Sequence, residues 1–219
     1  MVQNRFVVFE GLDGAGKSTL LKALKGELEA IGERVTVTRE PGGTRISEEL
    51  RDIILRRESE APAARTELLL YIAARAQHVD LLIQPKLNAG EWILCDRFTA
   101  SSVAFQAGGR QIPRESVDWL NHFATNGLKP VLTILLDLPY EEAQRRQAHR
   151  LQNSNETIDR MEAEARDFHE RVRASFLEQA QDSPKEWLVL SAMQSPEDLL
   201  RELIEKMKER GLWEFSSQP

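Results

Sequence analysis

The residues from Gly11 to Ser18 have the spacing of a phosphate-binding loop, in which two glycines enclose four residues and lysine and serine follow. An apolar run at 6–9 precedes them and leucines at helical spacing follow, which predicts a strand, the loop and a helix. Glycines let consecutive backbone N–H groups face one concavity, and the helix N-terminus adds unpaired amides. We expect a triphosphate there, with Lys17 reaching its β- and γ-phosphates and Ser18 ligating Mg²⁺. The alternative is a glycine-rich turn capped by Ser18 or Thr19.

Arginines stand at or just after the ends of other predicted strands. Arg39 opens the shaped loop Arg-Glu-Pro-Gly-Gly-Thr at 39–44, Arg51 lies in the helix after that loop, and Arg97 follows Asp96. The carboxyl ends of parallel strands share one edge of a sheet, so these residues should converge on the phosphate loop.

That convergence suits a reaction between two phosphate-bearing nucleotides. Two dianionic groups about 5 Å apart repel by on the order of ten kcal/mol at an effective dielectric near 20. Arginine neutralises such charge well, because its planar fork grips phosphate through two hydrogen bonds.

The elements that position these residues alternate between strand and helix. Five apolar runs predict strands, at 6–9, 35–38, 91–97, 130–137 and 187–190. One helix is expected after the phosphate loop and another after Pro139. Further helices are expected at 47–57, 66–87, 101–106, 113–125, 159–181 and 197–210. The stripe of the helix at 66–87 that should be buried is Leu69, Ile72, Ala73, Ala76, Val79, Leu82 and Ile83. Gly108 and Gly109 predict a loop. The order predicts an α/β protein with a five-stranded, doubly wound parallel sheet between two helix layers.

Composition narrows the class of protein. A chain of 219 residues without a flexible linker suits one domain, and a net charge of −6 with a pI near 5.4 argues against a broad nucleic-acid surface. The only cysteine is Cys95, which argues against disulfides and suits a reducing compartment. No signal-like start or long apolar run is visible, so we expect a soluble cytoplasmic protein that neither enters a membrane nor binds nucleic acid.

Several motifs together resemble the bacterial thymidylate kinases, which transfer the γ-phosphate of ATP to dTMP. The matching stretches are 9–18, 38–44, 66–78 and 96–98, with Ser101, Ser102 and Gln106, and 157–162. The resemblance runs nearly end to end and implies a P-loop NTPase fold, Mg²⁺ with ATP as the donor, and a homodimer.

The resemblance also implies roles for individual residues. The donor site would comprise Gly11, Leu12, Asp13, Gly14, Ala15, Gly16, Lys17, Ser18 and Thr19, with Ser18 and Asp96 toward the metal. The acceptor site would comprise Asp13, Arg39, Arg51, Tyr71, Arg75, Arg97, Ser102, Phe105 and Gln106. Among these, Tyr71 would stack on the thymine and Arg75 would hydrogen-bond it. The alternative for Tyr71, taken alone, is a core or interface aromatic residue.

The basic run from Arg145 to Arg150 resembles a lid that spans about 143–160. The phosphate loop contains no arginine, so the lid should supply one, and we expect Arg146 and Arg150 to act with Lys17, Asp13 and Arg97 in catalysis. Two residues depart from the family pattern. Phe105 stands where many members have tyrosine, and Ala107 stands where glycine is usual, which puts the selection of deoxyribose in question.

Two other hypotheses remain open at this point. A related kinase could phosphorylate another nucleoside monophosphate or an unphosphorylated deoxynucleoside, although three arginines favour a phosphorylated acceptor. A nucleotide-dependent switch or binding module is the alternative of another class; the sequence lacks the Asn-Lys-x-Asp motif that reads guanine.

Overall fold

A computed structural model describes residues 5–57, 60–153 and 158–213. Within these ranges five parallel strands form one sheet in the order β2-β3-β1-β4-β5. The strands are β1 (Phe6–Glu10), β2 (Val35–Arg39), β3 (Trp92–Asp96), β4 (Leu132–Asp137) and β5 (Trp187–Ser191). The predicted doubly wound parallel sheet is confirmed, and each predicted strand lies within a few residues of its observed bounds.

Helices connect the strands and cover both faces of the sheet. They are α1 (Lys17–Ala30), α2 (Arg45–Leu55), α3 (Ala64–His78), α4 (Gln84–Asn88), α5 (Thr99–Ser102), α6 (Arg114–Thr125), α7 (Tyr140–Asn153), α8 (Arg166–Asp182) and α9 (Pro196–Glu209). A π-helical turn, Val79–Ile83, joins α3 to α4, and a second π-helical segment, Val103–Gly109, follows α5. None of the helices in the described ranges is long and apolar enough to cross a membrane.

The core lies around the three central strands. Every residue of β1 is buried, and β3 and β4 are buried except at their last residues. Leucines of α1 pack on one face of the sheet, and Val79 and Ile83 pack on the other. Burying each such side chain stabilises the fold by about 1.5–3 kcal/mol, which holds the strand ends rigidly in place.

The register aligns the strand ends that carry polar residues. Phe9 lies opposite Asp96 across the β1–β3 pair, so Glu10 and the phosphate loop emerge beside Asp96 and Arg97. Arg39 pairs with Asp96 on the other side of β3. The sheet thus brings three sequence-distant segments to one edge.

Two predictions about helical regions are wrong. The expected buried stripe of the helix at 66–87 included Leu69, whose side chain is 54% exposed, while Leu68 is buried instead. The buried face of α3 also carries the polar residues Glu67, Arg75 and His78, so the positions of the apolar residues alone do not identify it. Gly108 and Gly109 lie inside the second π-helical segment and not in a loop. A Cβ on Gly109 would lie 2.4 Å from the ring of Phe168, so glycine at this position serves close packing rather than a turn.

The boundary after the lid is also wrong. The helix expected at 159–181 begins at Arg166, and residues 158–165 form turns instead. The carboxylate of Asp159 accepts hydrogen bonds from the backbone N–H groups of Met161 and Glu162, which stabilises this turn in place of a helix. Residues 154–157 of the expected lid lie outside the described residues.

Candidate active site

The phosphate loop has the expected backbone. Gly11, Gly14 and Gly16 have φ angles of 134°, 83° and 92°, which favour glycine. A Cβ on Gly11 would also lie 2.5 Å from the carbonyl oxygen of Leu136, so this site excludes larger residues. The loop leads directly into α1, whose first residue is Lys17, and its N-terminal amides open toward the concavity.

Lys17 lies against its own loop. Its Nζ donates to the carbonyl oxygens of Gly11 and Leu12, each at 3.2 Å, and lies 3.6 Å from Asp13 Oδ1. These contacts hold a buried ammonium group over the concavity of the loop. A positive charge in that place suits a bound polyphosphate.

Ser18 and Asp96 lie next to each other at the mouth of the loop. The Ser18 hydroxyl is 3.5 Å from Asp96 Oδ2, and Asp96 Oδ1 is buried with no hydrogen-bond partner in the described part of the chain. An oxygen without a partner beside a hydroxyl fits a hard cation such as Mg²⁺. The described residues contain no cluster of three or more His, Cys, Asp or Glu side chains that could hold a metal, so phosphate and water would complete such a site.

Asp13 connects the phosphate loop to Arg97. Arg97 Nη2 donates to Asp13 Oδ1 at 2.8 Å, and that same oxygen is the one near Lys17. Burial alone would raise the pKa of Asp13, but the charges of Arg97 and Lys17 hold it well below its ordinary value. Two cations from distant segments therefore share one carboxylate that stays ionised.

Arg97 is itself held in an unusual backbone conformation. Its φ is 71°, a left-handed value that is costly for a side chain with a Cβ. Nη1 donates to the Ser101 hydroxyl at 3.3 Å, and the guanidinium lies 4.9 Å from the ring centroid of Phe105. The turn after β3 thus aims Arg97 back toward the phosphate loop.

Sequence reasoning missed Glu10, which fixes this turn. Its carboxylate is fully buried and accepts hydrogen bonds from the N–H groups of Phe98 and Ser101 at 2.9 and 3.1 Å and from the Ser101 hydroxyl at 2.6 Å. Burial raises the pKa of Glu10 to about 7, although the nearby Arg97 opposes the shift. The feature of the sequence that could have indicated Glu10 is that a single charged residue ends this apolar strand.

A cavity opens beside Arg97, between α2, α3 and the second π-helical segment. It brings together eight of the nine residues expected at the acceptor site, and its lining is Asp13, Glu40, Pro41, Arg51, Leu55, Tyr71, Arg75, Arg97, Ser101, Ser102, Phe105, Gln106, Asp159 and Met161. The exception is Arg39, which is 51% exposed and pairs with Glu48 at 2.8 Å. Arg39 still borders this site, because burial and then the charge of Arg39 lower the pKa of Arg51.

Arg75 is buried at the cavity floor with most of its hydrogen-bonding capacity used internally. Nε donates to Glu40, Nη1 to Ser102 and Asn121, and Nη2 to the Phe98 carbonyl oxygen. These bonds occupy four of the five N–H groups of a guanidinium, which leaves one on Nη2 for a ligand. The predicted contact to a base is therefore limited to a single donor.

Glu40 and His78 support Arg75 from behind, and neither was expected at the site. Glu40 binds Arg75 through one oxygen and His78 Nδ1 through the other, and His78 Nε2 lies 2.7 Å from the Thr38 hydroxyl. All three side chains are buried. The sequence showed them only as parts of the motifs at 38–44 and 66–78, with nothing to indicate that they pair.

The remaining predicted residues line the cavity in different ways. Burial and then the charge of Glu67 raise the pKa of Tyr71, so its phenol stays protonated. The Ser102 hydroxyl accepts a hydrogen bond from Arg75. The Gln106 amide instead donates to the Glu67 carboxylate at 3.0 Å, so it stabilises the wall of the cavity. Phe105 presents its ring to Arg97 and packs on Phe168 and Phe176.

Helix α7 carries the arginines that were expected in a lid, and one of them reaches the phosphate loop. Arg146 donates to the carbonyl oxygens of Gly14 and Ala192, at 3.4 and 2.8 Å, and to Glu142 at 2.8 Å. Arg150 lies one turn farther along, binds Glu162 and contributes to lowering the pKa of Asp13. Arg145 instead lies on the exposed side of the helix. Arg146 thus contacts the loop directly, and the charge of Arg150 acts on Asp13 of the loop.

A second cavity adjoins the phosphate loop. Its lining comes from the loop and α1, from α7 and from the segment after β5, and consists of Ala15, Gly16, Thr19, Leu20, Arg146, Ala192, Gln194, Pro196 and Leu199. The loop contributes Asp13 to the first cavity and Ala15 and Gly16 to the second, so it borders both.

Comparisons with known proteins point in one direction. A family model described as thymidylate kinase matches residues 9–203. A thymidylate kinase of Bdellovibrio bacteriovorus is 54% identical over 206 residues, which cover 94% of this chain and 96% of the relative. One of Chromobacterium violaceum is 43% identical over 212 residues, covering 95% and 97%. The crystal structure of thymidylate kinase from Ehrlichia chaffeensis matches with a TM-score of 0.73 and 28% identity over 92% of this chain and 97% of that one.

Proposed function

The chain belongs to the thymidylate kinase family, and on that premise we propose that it transfers the γ-phosphate of ATP to dTMP, giving dTDP and ADP. The observation that carries the proposal is the sharing of Asp13 Oδ1 by Lys17 of the phosphate loop and Arg97 of the acceptor cavity. Two anions bound on either side of that carboxylate would meet end to end.

The acceptor phosphate is the nucleophile in this reaction. It is already ionised near neutral pH, so the enzyme needs no general base and works by positioning and by charge neutralisation. Arg97 and Arg51, with Arg39 at the border of the cavity, would hold the acceptor phosphate. Tyr71 would stack on the base, with Arg75, Ser102 and Gln106 around its edge and with Asp13 and Phe105 beside the sugar.

The donor would bind along the phosphate loop, with its phosphates on the amides of residues 11–19 and its base in the second cavity. Ser18 and Asp96 would hold Mg²⁺, which would supply positive charge against the negative charge of the donor phosphates. Lys17, Arg146 and Arg150 would neutralise the phosphoryl group as it moves. We propose that residues of about 143–160 act as a lid on a single kinase domain.

One assay separates the candidate functions. The protein is incubated with ATP, Mg²⁺ and a panel of nucleoside monophosphates and deoxynucleosides, and diphosphate formation is measured. We expect dTMP to give the highest kcat/KM. Preference for an unphosphorylated acceptor would contradict the proposal, as would hydrolysis of ATP without transfer, which would favour a nucleotide-dependent switch.

Phe105 lies where a hydroxyl could contact the sugar. We expect Phe105→Tyr to raise the preference for dTMP over the corresponding ribonucleotide by up to about tenfold, the effect of one added polar contact. The measurement is the ratio of the two kcat/KM values. Val189→Thr, which also adds one hydroxyl but on an exposed residue of β5 outside the cavity, serves as the control. Equal ratios in both variants and the parent would remove this role.

We also propose that the protein is a homodimer in the cytoplasm. Exposed apolar side chains occur on α2, α3 and α6, which pack side by side, and these residues are Ile46, Ile53, Leu69, Trp119 and Phe123. Trp119 and Phe123 are 66% and 71% exposed and stack on each other, which is unusual for a surface in contact with water.

A charge placed on that surface tests the dimer. We expect sedimentation to give the mass of two chains for the parent and of one chain for Trp119→Glu, because burying an unpaired carboxylate at an interface is costly. Ile31→Glu, on an exposed apolar residue at the end of α1, should leave the dimer intact. A parent protein that sediments as one chain would contradict the proposal.

A further inference from the structure

Glu67 is a fully buried carboxylate that the phosphoryl-transfer scheme does not use. It lies in the first turn of α3, one turn before Tyr71, and its side chain accepts hydrogen bonds from Gln106 Nε2 at 3.0 Å and from Arg110 at 3.1 and 3.0 Å. Arg160 Nη2 lies 2.7 Å from the same carboxylate. A buried charge with this many partners joins the elements that supply them.

The partners come from different walls of the acceptor cavity. Gln106 belongs to the second π-helical segment and adjoins Phe105, and Arg160 stands between Asp159 and Met161, both of which line the cavity. Glu67 therefore ties the helix that carries Tyr71 and Arg75 to two other parts of the lining.

Residues 158–164 form turns rather than a helix, and contacts with other elements attach them to the rest of the fold. The backbone N–H of Arg160 donates to the carbonyl oxygen of Leu55 at 3.2 Å, and Arg160 Nε donates to that of Ile54 at 3.0 Å. Arg110 binds Glu164 at 2.6 Å and Glu67 at 3.0 Å. The turns are thus fastened to α2, α3 and the π-helical segment through two arginines that meet at Glu67.

The charge of Glu67 is needed for this arrangement. Burial would raise the pKa of its carboxyl, but the hydrogen bonds from Arg110 and Gln106 outweigh burial and leave the pKa below its usual value. The group is ionised throughout the neutral range, and its loss would leave two guanidinium groups close together without their shared counter-ion.

We propose that Glu67 is a positioning residue that holds Asp159–Met161 as a wall of the acceptor cavity and so sets the affinity for the acceptor separately from that for the donor. The inference rests on the proposed function for the identity of the acceptor. Glu67 touches neither nucleotide in this scheme; it acts through Arg110 and Arg160.

The test is Glu67→Gln, which keeps the shape of the side chain and removes its charge. We expect the KM for dTMP to rise by about tenfold or more while the KM for ATP changes by less than about twofold, because only binding on the acceptor side is lost. Hydrogen exchange of the backbone amides of residues 160–162 should also become faster, and exchange in the phosphate loop should not.

Two further variants keep the test decisive. Arg160→Gln removes the contacts of the turns with Glu67 and with the carbonyl oxygen of Ile54 and leaves Glu67 bound to Arg110 and Gln106, so it serves if Glu67→Gln does not fold; we expect the same split in KM. Asp118→Asn removes a carboxylate from an exposed pair with Arg114 and should change neither KM nor exchange. Equal rises in both KM values, or unchanged exchange at 160–162, would overturn the proposal. Failure to phosphorylate dTMP in the parent protein would refute the function and leave the exchange result as the test of the tether.

Discussion

Lys17→Ala is expected to lower kcat by about two to three orders of magnitude, the usual loss when one preorganised group that stabilises transition-state charge is removed. The Lys17 ammonium is buried over the phosphate loop within 3.6 Å of Asp13, so no other side chain on α1 can take its place. The measurement is steady-state dTDP formation with saturating ATP, Mg²⁺ and dTMP.

Folding must be checked in the same experiment. The substitution removes a donor from two loop carbonyl groups and leaves the apolar face of α1 intact, so the unfolding transition should persist. Lys22→Ala, an exposed lysine on the same helix, is the matched control and should keep the parent turnover. Near-normal kcat in a folded Lys17→Ala protein would refute the role of the phosphate loop in transfer.

Arg97→Gln is expected to reduce kcat/KM for dTMP by about two to three orders of magnitude, because the substitution removes a charge shared by the acceptor cavity and the phosphate loop. Glutamine is chosen because it faces the same backbone strain at φ 71° and can still bond Ser101. Arg97→Lys keeps the positive charge but lacks the planar guanidinium that binds phosphate through two hydrogen bonds, so it should retain only part of the parent kcat/KM.

The pH dependence gives this prediction a second readout. In the parent protein burial acts to raise the pKa of both Asp13 and Glu10, and the positive charge of Arg97 opposes that effect at each of them. Removing that charge raises both values, so ionised Asp13 persists only down to a higher pH, and the acid limb of the kcat/KM profile should move upward. Arg114→Gln, an exposed arginine on α6, should leave the profile unchanged. An unshifted profile in Arg97→Gln would show that Arg97 does not act through these carboxylates.

Local patterns predicted much of the fold. The phosphate loop could be predicted from the sequence because its function depends on the backbone conformation of eight consecutive residues. Gly11, Gly14 and Gly16 have the φ angles that the pattern requires. The strands were readable because parallel strands covered on both faces are apolar throughout. The convergence of Arg51 and Arg97 on one cavity followed from the rule that strand ends share an edge.

The errors occur where the apolar pattern does not show which residues are buried. Leu69 was expected in the core but is 54% exposed, because the buried face of α3 carries the polar residues Glu67, Arg75 and His78. The turns at 158–165 were expected to be helical, because the charged residues at these positions are compatible with a helix. In the structure the Asp159 side chain instead accepts hydrogen bonds from nearby backbone N–H groups and stabilises a turn.

The doubly wound sheet, the phosphate loop and most residues around the acceptor cavity could be predicted from the sequence, since each depends on residues close together in the chain or on strand order. The pairing of buried charges could not, because it depends on how distant segments pack. Glu10 with the turn after β3, Glu40 with His78, and Glu67 with Arg110 and Arg160 join positions dozens of residues apart. The energy of such buried carboxylates depends on distance and burial in the folded chain, which no local spacing encodes.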